Sequence, residues 1–198
     1  MNKVGELIEI VKKNNGVIRT TDVLNAGLHH GYIRAAIEQG KLYKISNGIY
    51  STSEAMPDKY YALQLKWQKA VFSYATAAYF NGLTTRDPLV IEITVPSSAN
   101  VTKLREQGYK PYFINNGNYE LGLTEVKTMF GNLVKVYDKE RTICDLFSKK
   151  YKGDQYIAIE SFKTYVADKK NRDFIKLMKY AKVLGVEKEI ASKLEVMV

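Results

Sequence analysis

A chain of 198 residues, 45% hydrophobic, 12% aromatic and 26% charged, can bury one large core or two modest ones and lacks the composition of a disordered segment. Its net charge of +9 is spread out: the first 50 residues carry 7 basic and 4 acidic side chains, the remainder 23 and 17. A basic balance in both parts suits a phosphate-rich partner, although many proteins without one share it. The one cysteine, Cys144, excludes an internal disulfide and fits a reducing compartment. The opening MNKVGELIEIVKK reads as an amphipathic helix with Glu6 and Glu9, not as a signal peptide. The longest uncharged run, residues 70–85, is too short and too polar to cross a bilayer. A cytoplasmic protein with no membrane partner is expected.

Val4, Leu7, Ile8 and Val11 form one helical stripe, predicting a first helix over residues 3–14 that Asn15-Gly16 ends. Val17 and Ile18 are β-prone and can pair with a later hairpin. Thr20 or Thr21 is a good N-cap, Asp22 suits the first turn of a short helix with Val23 and Leu24, and Gly27 stops it. A second helix begins near His29 or His30 and runs to Gln39, with Ile33, Ala36 and Ile37 inward. KLYKI-SNG-IY then gives two short strands joined at Asn47-Gly48. Helix, sharp turn, helix and hairpin within about thirty residues is the pattern of a winged helix-turn-helix. With Ile33 and Ile37 buried, His30, Gly31, Arg34, Ala35 and Glu38 face outward. Gly31 and Ala35 allow close approach to a groove, Arg34 can bond a guanine edge, and Tyr32 can reach a flank. Lys41, Lys44 and Asn47 are the wing's phosphate or minor-groove contacts. Helix-turn-helix geometry also serves protein contacts, which is the competing reading.

The expected division is a winged helix-turn-helix domain over 1–52, a joint over 53–58 with Pro57, and an α+β domain over 59–198. In the last, Tyr60, Leu63, Trp67 and Val71 share a helix face, and Ser73 caps the helix of SYATAAYFNGL. LVIEITV, residues 89–95, reads as a central strand closed by Pro96. A short helix capped by Asn100, a strand over 109–114, a turn over 115–118 and two or three strands over 121–136 follow. Helices then take over. The first, over 138–150, buries Ile143, Leu146 and Phe147. The second, opened by Asp154, buries Ile159, Phe162 and Val166. The third buries Phe174, Leu177, Met178 and Ala181 and closes at Gly185, and the last buries Val186, Ile190, Leu194 and Met197. A small, mostly antiparallel sheet with a C-terminal helical bundle is therefore expected.

His29 and His30 are adjacent, point apart on a helix and have no further His or Cys to join them, so neither a metal site nor a histidine triad is expected. No phosphate-cradling glycine loop occurs, and no catalytic residue or cofactor is assigned. The nearest enzyme signal is Glu125-Val126-Lys127 with Asp87 or Glu92 upstream, a set some Mg²⁺-dependent nucleases use. Glu-x-Lys is equally an ordinary solvated alternation on an edge strand. Arg172, Lys176 and Lys179 fall on one helical face around Val183, with Lys149, Lys150, Lys152, Lys163, Lys169 and Lys170 nearby. This is either a solvated face or a second basic patch for nucleic acid. Arg141 and Asp145 have ion-pair spacing, and Cys144 reads as packing.

The winged head with its IxNGIY wing, the SYATAA…NGL helix, the IEITVP strand and the ERTICDL helix, in this order, resemble the AbiEi-type antitoxins of bacterial type IV toxin–antitoxin, or abortive phage infection, systems. The resemblance covers nearly the whole chain. It implies a head that binds inverted repeats in its own promoter and represses it, and a C-terminal domain that counters a nucleotidyltransferase-like toxin without a stable complex. It carries DNA contact to Arg34, Lys41 and Lys44, and antitoxicity to the domain containing ERTICDL. The protein is then a solution monomer that pairs on DNA, and not an enzyme. Two other readings are a Mg²⁺-dependent DNA nuclease and a ligand-responsive winged-helix regulator.

Overall fold

A computed structural model describes residues 2–52 and 56–197. The chain groups into two compact units, residues 1–68 with 127–134, and residues 69–126 with 135–198.

In the first unit Asn2 Oδ1 accepts from the Gly5 amide at 3.1 Å and opens α1 (Lys3–Lys13), whose inward stripe is Val4, Leu7 and Val11. Strand β1 (Val17–Arg19), helices α2 (Thr20–Asn25) and α3 (Gly31–Glu38), and strands β2 (Tyr43–Ser46) and β3 (Ile49–Ser51) follow. The strands form an antiparallel sheet in the order β1-β3-β2, so Val17 and Ile18 do pair with the hairpin. Of the Asn47-Gly48 pair only Gly48 takes a positive φ, and the register shifts between Lys44 and Ser46. The opening of α2 differs from expectation. Arg19, not a threonine, occupies the N-cap position. Asp22 accepts from the Arg19 amide at 3.1 Å and from its guanidinium at 3.0 and 2.7 Å. A bidentate charged pair outcompetes a single hydroxyl cap.

Three residues of the expected joint, 53–55, lie outside the described residues. The helix after it, α4 (Lys59–Lys66), lies in the first unit: Ala62 is buried with Val17 and Ile49 of the small sheet, flanked by Tyr61 and Leu65. Its N-cap, Asp58, is 2% exposed; one carboxylate oxygen accepts from the Tyr61 amide at 3.0 Å, the other from Thr128 Oγ1 at 2.6 Å and Asn132 Nδ2 at 2.9 Å. Segment 127–134 thus joins this unit through a buried carboxylate that hydrophobic patterning does not reveal.

The second unit runs β4 (Val71–Phe72), α5 (Tyr74–Phe80), β5 (Glu92–Pro96), α6 (Thr102–Glu106), β6 (Lys110–Ile114), α7 (Asn116–Tyr119), β7 (Leu123–Lys127), β8 (Leu133–Tyr137), α8 (Lys139–Leu146), α9 (Gln155–Ala167), α10 (Phe174–Leu184) and α11 (Glu187–Met197), with the hairpin tip 127–134 counted in the first. The sheet order is β6-β5-β4-β8-β7. It is mixed rather than mostly antiparallel: β4 pairs antiparallel with β5, but β4–β8 and β5–β6 are parallel. Val71 lies in β4 and not on a helix face, Leu89 and Val90 are exposed outside β5, and Ile159 is exposed on α9. Helix α8 stops at Leu146. Gly185, at φ 71°, closes α10 as expected.

Buried polar groups hold this unit together. Glu92, 4% exposed, accepts from the Ala75 amide at the start of α5 at 2.8 Å and, on its other oxygen, from Lys110 Nζ and Tyr112 Oη, both at 2.9 Å. Arg141, 1% exposed, donates to Asp145 Oδ1 at 3.0 Å and to the carbonyls of Asn118 and Leu121 at 2.9 and 2.8 Å, over the Tyr137 ring. A Cβ on Gly122 would stand 2.6 Å from Arg141 Cβ, so only glycine lets this loop close over the arginine.

Asp58→Ala is expected to cost about 2–4 kcal/mol in urea unfolding, because it removes a cap and strands two buried donors; Asp58→Asn should cost less. The Arg19 guanidinium holds the Asp22 carboxyl below its ordinary 3.8, so this pair's stability is present above that pH and lost as pH falls through the folded value. Asp22→Asn should therefore cost about 0.5–2 kcal/mol at pH 7, with the gap from the parent narrowing as pH falls below the ordinary 3.8 toward the lower folded value.

Candidate nucleic-acid interface

The orientation of α3 follows from what lies beneath it. Ile33 and Ala36 pack, at 4% and 0% exposure, against Leu7, Val11 and Leu28, and each such side chain contributes roughly 1.5–3 kcal/mol for the larger residues. With that stripe down, Arg34 is turned out: its side chain is 85% exposed, and its Nε donates to Glu38 Oε1 at 2.9 Å. Glu38, Gly31 and His30 are exposed on the same side. Ala35, expected outward, and Tyr32, expected to reach a flank, are half-buried, each packed against the core. Ile37, expected beneath, is 39% exposed, because the buried stripe is the narrower Ile33–Ala36 pair.

Lys41 follows α3 in an exposed position with its ammonium on Gln39 Oε1 at 3.0 Å; Lys44 is exposed on β2 and Asn47 at the hairpin tip. Helix α3 and the β2–β3 hairpin thus present Arg34, Lys41, Lys44 and Asn47 within one unit. An exposed i,i+4 pair such as Arg34–Glu38 contributes little to stability, so exchanging its carboxylate for a base edge or phosphate costs little. The rings of His29 and His30 do not diverge: they lie 4.1 Å apart ahead of α3, and His29 Nδ1 accepts from the Gly31 amide at 3.1 Å. Among the described residues no group of three or more His, Cys, Asp or Glu side chains could hold a metal ion.

The second basic patch is broken up. Arg172 precedes α10, lies over the Phe174 ring and donates to the Val166 carbonyl. Lys176 reaches Asp138 and Glu140, both at 3.0 Å, and these two carboxylates raise its pKa against the opposing effect of burial. Lys179 stays exposed on α10, and Lys149, Lys150 and Lys152 are exposed elsewhere. The nuclease set is likewise scattered. Glu92 is buried and engaged on β5, three strands from Glu125 on β7 in sheet order, and Asp87 is exposed in a loop. In ERTICDL every side chain is buried. Burial pushes the Cys144 thiol up, and its sulfur faces the Leu177 carbonyl at 3.8 Å, the surroundings of a packing residue.

Among the described residues no helix is long and apolar enough to cross a membrane. No curated protein sequence matches the chain. A crystal structure of the Rv2827c protein from Mycobacterium tuberculosis shares the fold at a TM-score of 0.63 and 14% identity, covering 92% of this chain and 72% of that one. Residues 6–52, which hold α1 to β3, match the family described as transcriptional regulator, AbiEi antitoxin. Over these residues, the chain carries the signature of the AbiEi antitoxin transcriptional regulators.

Proposed function

We infer that this chain is the antitoxin of a type IV, abortive-infection toxin–antitoxin system and a repressor of its own promoter. The observation that carries the reading is the outward Arg34, beside an exposed basic wing, in a segment with the AbiEi signature. Repression works by occupancy. Two copies, monomeric in solution, pair on inverted half-sites, each placing α3 in the major groove and the β2–β3 wing on the backbone. The second unit counters a nucleotidyltransferase-like toxin in the cytoplasm without a stable complex. Because the ERTICDL side chains are buried, they support that unit's fold and leave any recognition to other residues.

Arg34→Ala should weaken promoter binding by about 1–3 kcal/mol in gel-shift titrations and change random-DNA binding far less. Lys44→Ala should weaken both alike and lower the salt slope by about 1. Equal losses on both DNAs for Arg34→Ala would make it a phosphate contact. Helix α4 and residues 127–134 belong to the first unit, so full-length variants separate the two jobs better than a cut at 57. The Arg34→Ala/Lys44→Ala protein should lose repression of a promoter reporter and still rescue growth when co-expressed with the neighbouring toxin gene. Loss of both activities would show that DNA binding is itself the antidote.

A further inference from the structure

The outward side of α3 carries one residue that bonds to guanine edges and phosphates leave unused. His30, at the N-cap, already has helical backbone angles, so the helical step applies from there onward. Taking Ile33 as the bottom of the helix and stepping about 100° per residue, Ile37, His30 and Arg34 fall at about 40°, 60° and 100°. All three are exposed and form one strip at spacings of four and three residues. Ile33 and Ala36 are 4% and 0% exposed, whereas Ile37, one turn beyond Ile33, keeps 39% of its surface in water. Its neighbours on the strip are polar: the Arg34 side chain is 85% exposed, and Glu38 is exposed beside it. A single isoleucine among polar side chains is too small an apolar surface to hold a protein partner. It is large enough to cover one methyl group.

The floor of a major groove presents hydrogen-bonding edges, and the thymine C5-methyl is its apolar feature. Arg34 and Ile37 stand three residues apart, about 4.5 Å along the helix axis, against a base-pair step of about 3.4 Å. A helix that sets the Arg34 guanidinium on a guanine therefore brings Ile37 over a base pair one or two steps away. We propose that Ile37 is a second base-reading residue, which selects a thymine by its methyl group within two base pairs of the guanine bonded by Arg34. The proposal rests on the DNA-reading role given to α3 above and specifies what that helix reads.

The promoter fragment amplified with dTTP or with dUTP tests this on the unaltered full chain, because deoxyuridine keeps every hydrogen-bonding group of thymidine and lacks only the methyl. Gel-shift titration should show binding to the uracil fragment weakened about fourfold per half-site, as one buried methyl group implies. A random fragment made in the same two ways should show no such difference. Replacing thymines singly in a synthetic half-site should place the loss at one position. Ile37→Ala, checked for folding by circular dichroism, should weaken binding to the thymine fragment by a similar factor and no longer distinguish the two fragments. Ile37→Val, which keeps a branched methyl, should still distinguish them. Equal affinity of the parent for both promoter fragments overturns the proposal. So does an Ile37→Ala protein that still prefers thymine, since another side chain would then read the methyl. Arg34→Ala separates the two levels of failure: if it abolishes the preference for promoter over random DNA while uracil changes nothing, α3 reads DNA without Ile37. A parent that retards no promoter fragment at low salt overturns both readings.

Discussion

The seating of α3 on α1 governs what the first unit can do. Leu7 and Val11 from one helix meet Ile33 and Ala36 from the other, and all four are essentially removed from water. Because successive helical residues step by about 100°, burying that pair leaves only one direction for Arg34. A helix of eight residues is too short to be stable alone. Its existence and its heading therefore come from the same contacts.

The second unit is organised on a different principle. Its apolar core, centred on Ile143, Phe162, Tyr165 and Leu177, is interrupted by carboxylates and a guanidinium that each satisfy several groups at once. Glu92 ties the start of α5 to β6, and Arg141 ties α8 to α7 and the loop after it. Buried charges of this kind define geometry more than they add stability, since desolvation offsets much of their attraction. Their arrangement leaves one oxygen of Asp145 buried and, among the described residues, without a hydrogen-bond donor.

The two basic regions illustrate how charge read along a chain differs from charge in space. Arg172, Lys176 and Lys179 share a face by helical spacing, yet Lys176 turns to Asp138 and Glu140 and Arg172 lies over Phe174. Arg34 also has a carboxylate partner, but both members of that pair are exposed and sequence neighbours, so nothing fixes them together. Of the outward residues expected from periodicity, Ala35 is the one drawn partly inward, while His30, Gly31, Arg34 and Glu38 stay exposed. Tyr32 and Ala35 pack at the margin of the core because apolar surface at the edge of a stripe is drawn under it.

Local sequence was sufficient for most of the order of helices and strands, though not for β4 or for α7, which was expected as a turn, and for the Asn47-Gly48 hairpin, the Gly185 stop and the burial of Ile33 and Ala36, since each is set by side-chain period or backbone freedom within a few residues. It could not reveal that α4 belongs with the small sheet, that 127–134 joins the same unit through Asp58, or that the larger sheet mixes parallel and antiparallel pairs. Those depend on partners as far apart as Asp58 and Asn132, 74 positions along the chain, and no local pattern encodes them. The cavity lined by Asp145 is of the same kind: its lining comes from eight separate stretches between Tyr74 and Val186, brought together only when the sheet and the helices behind it have closed.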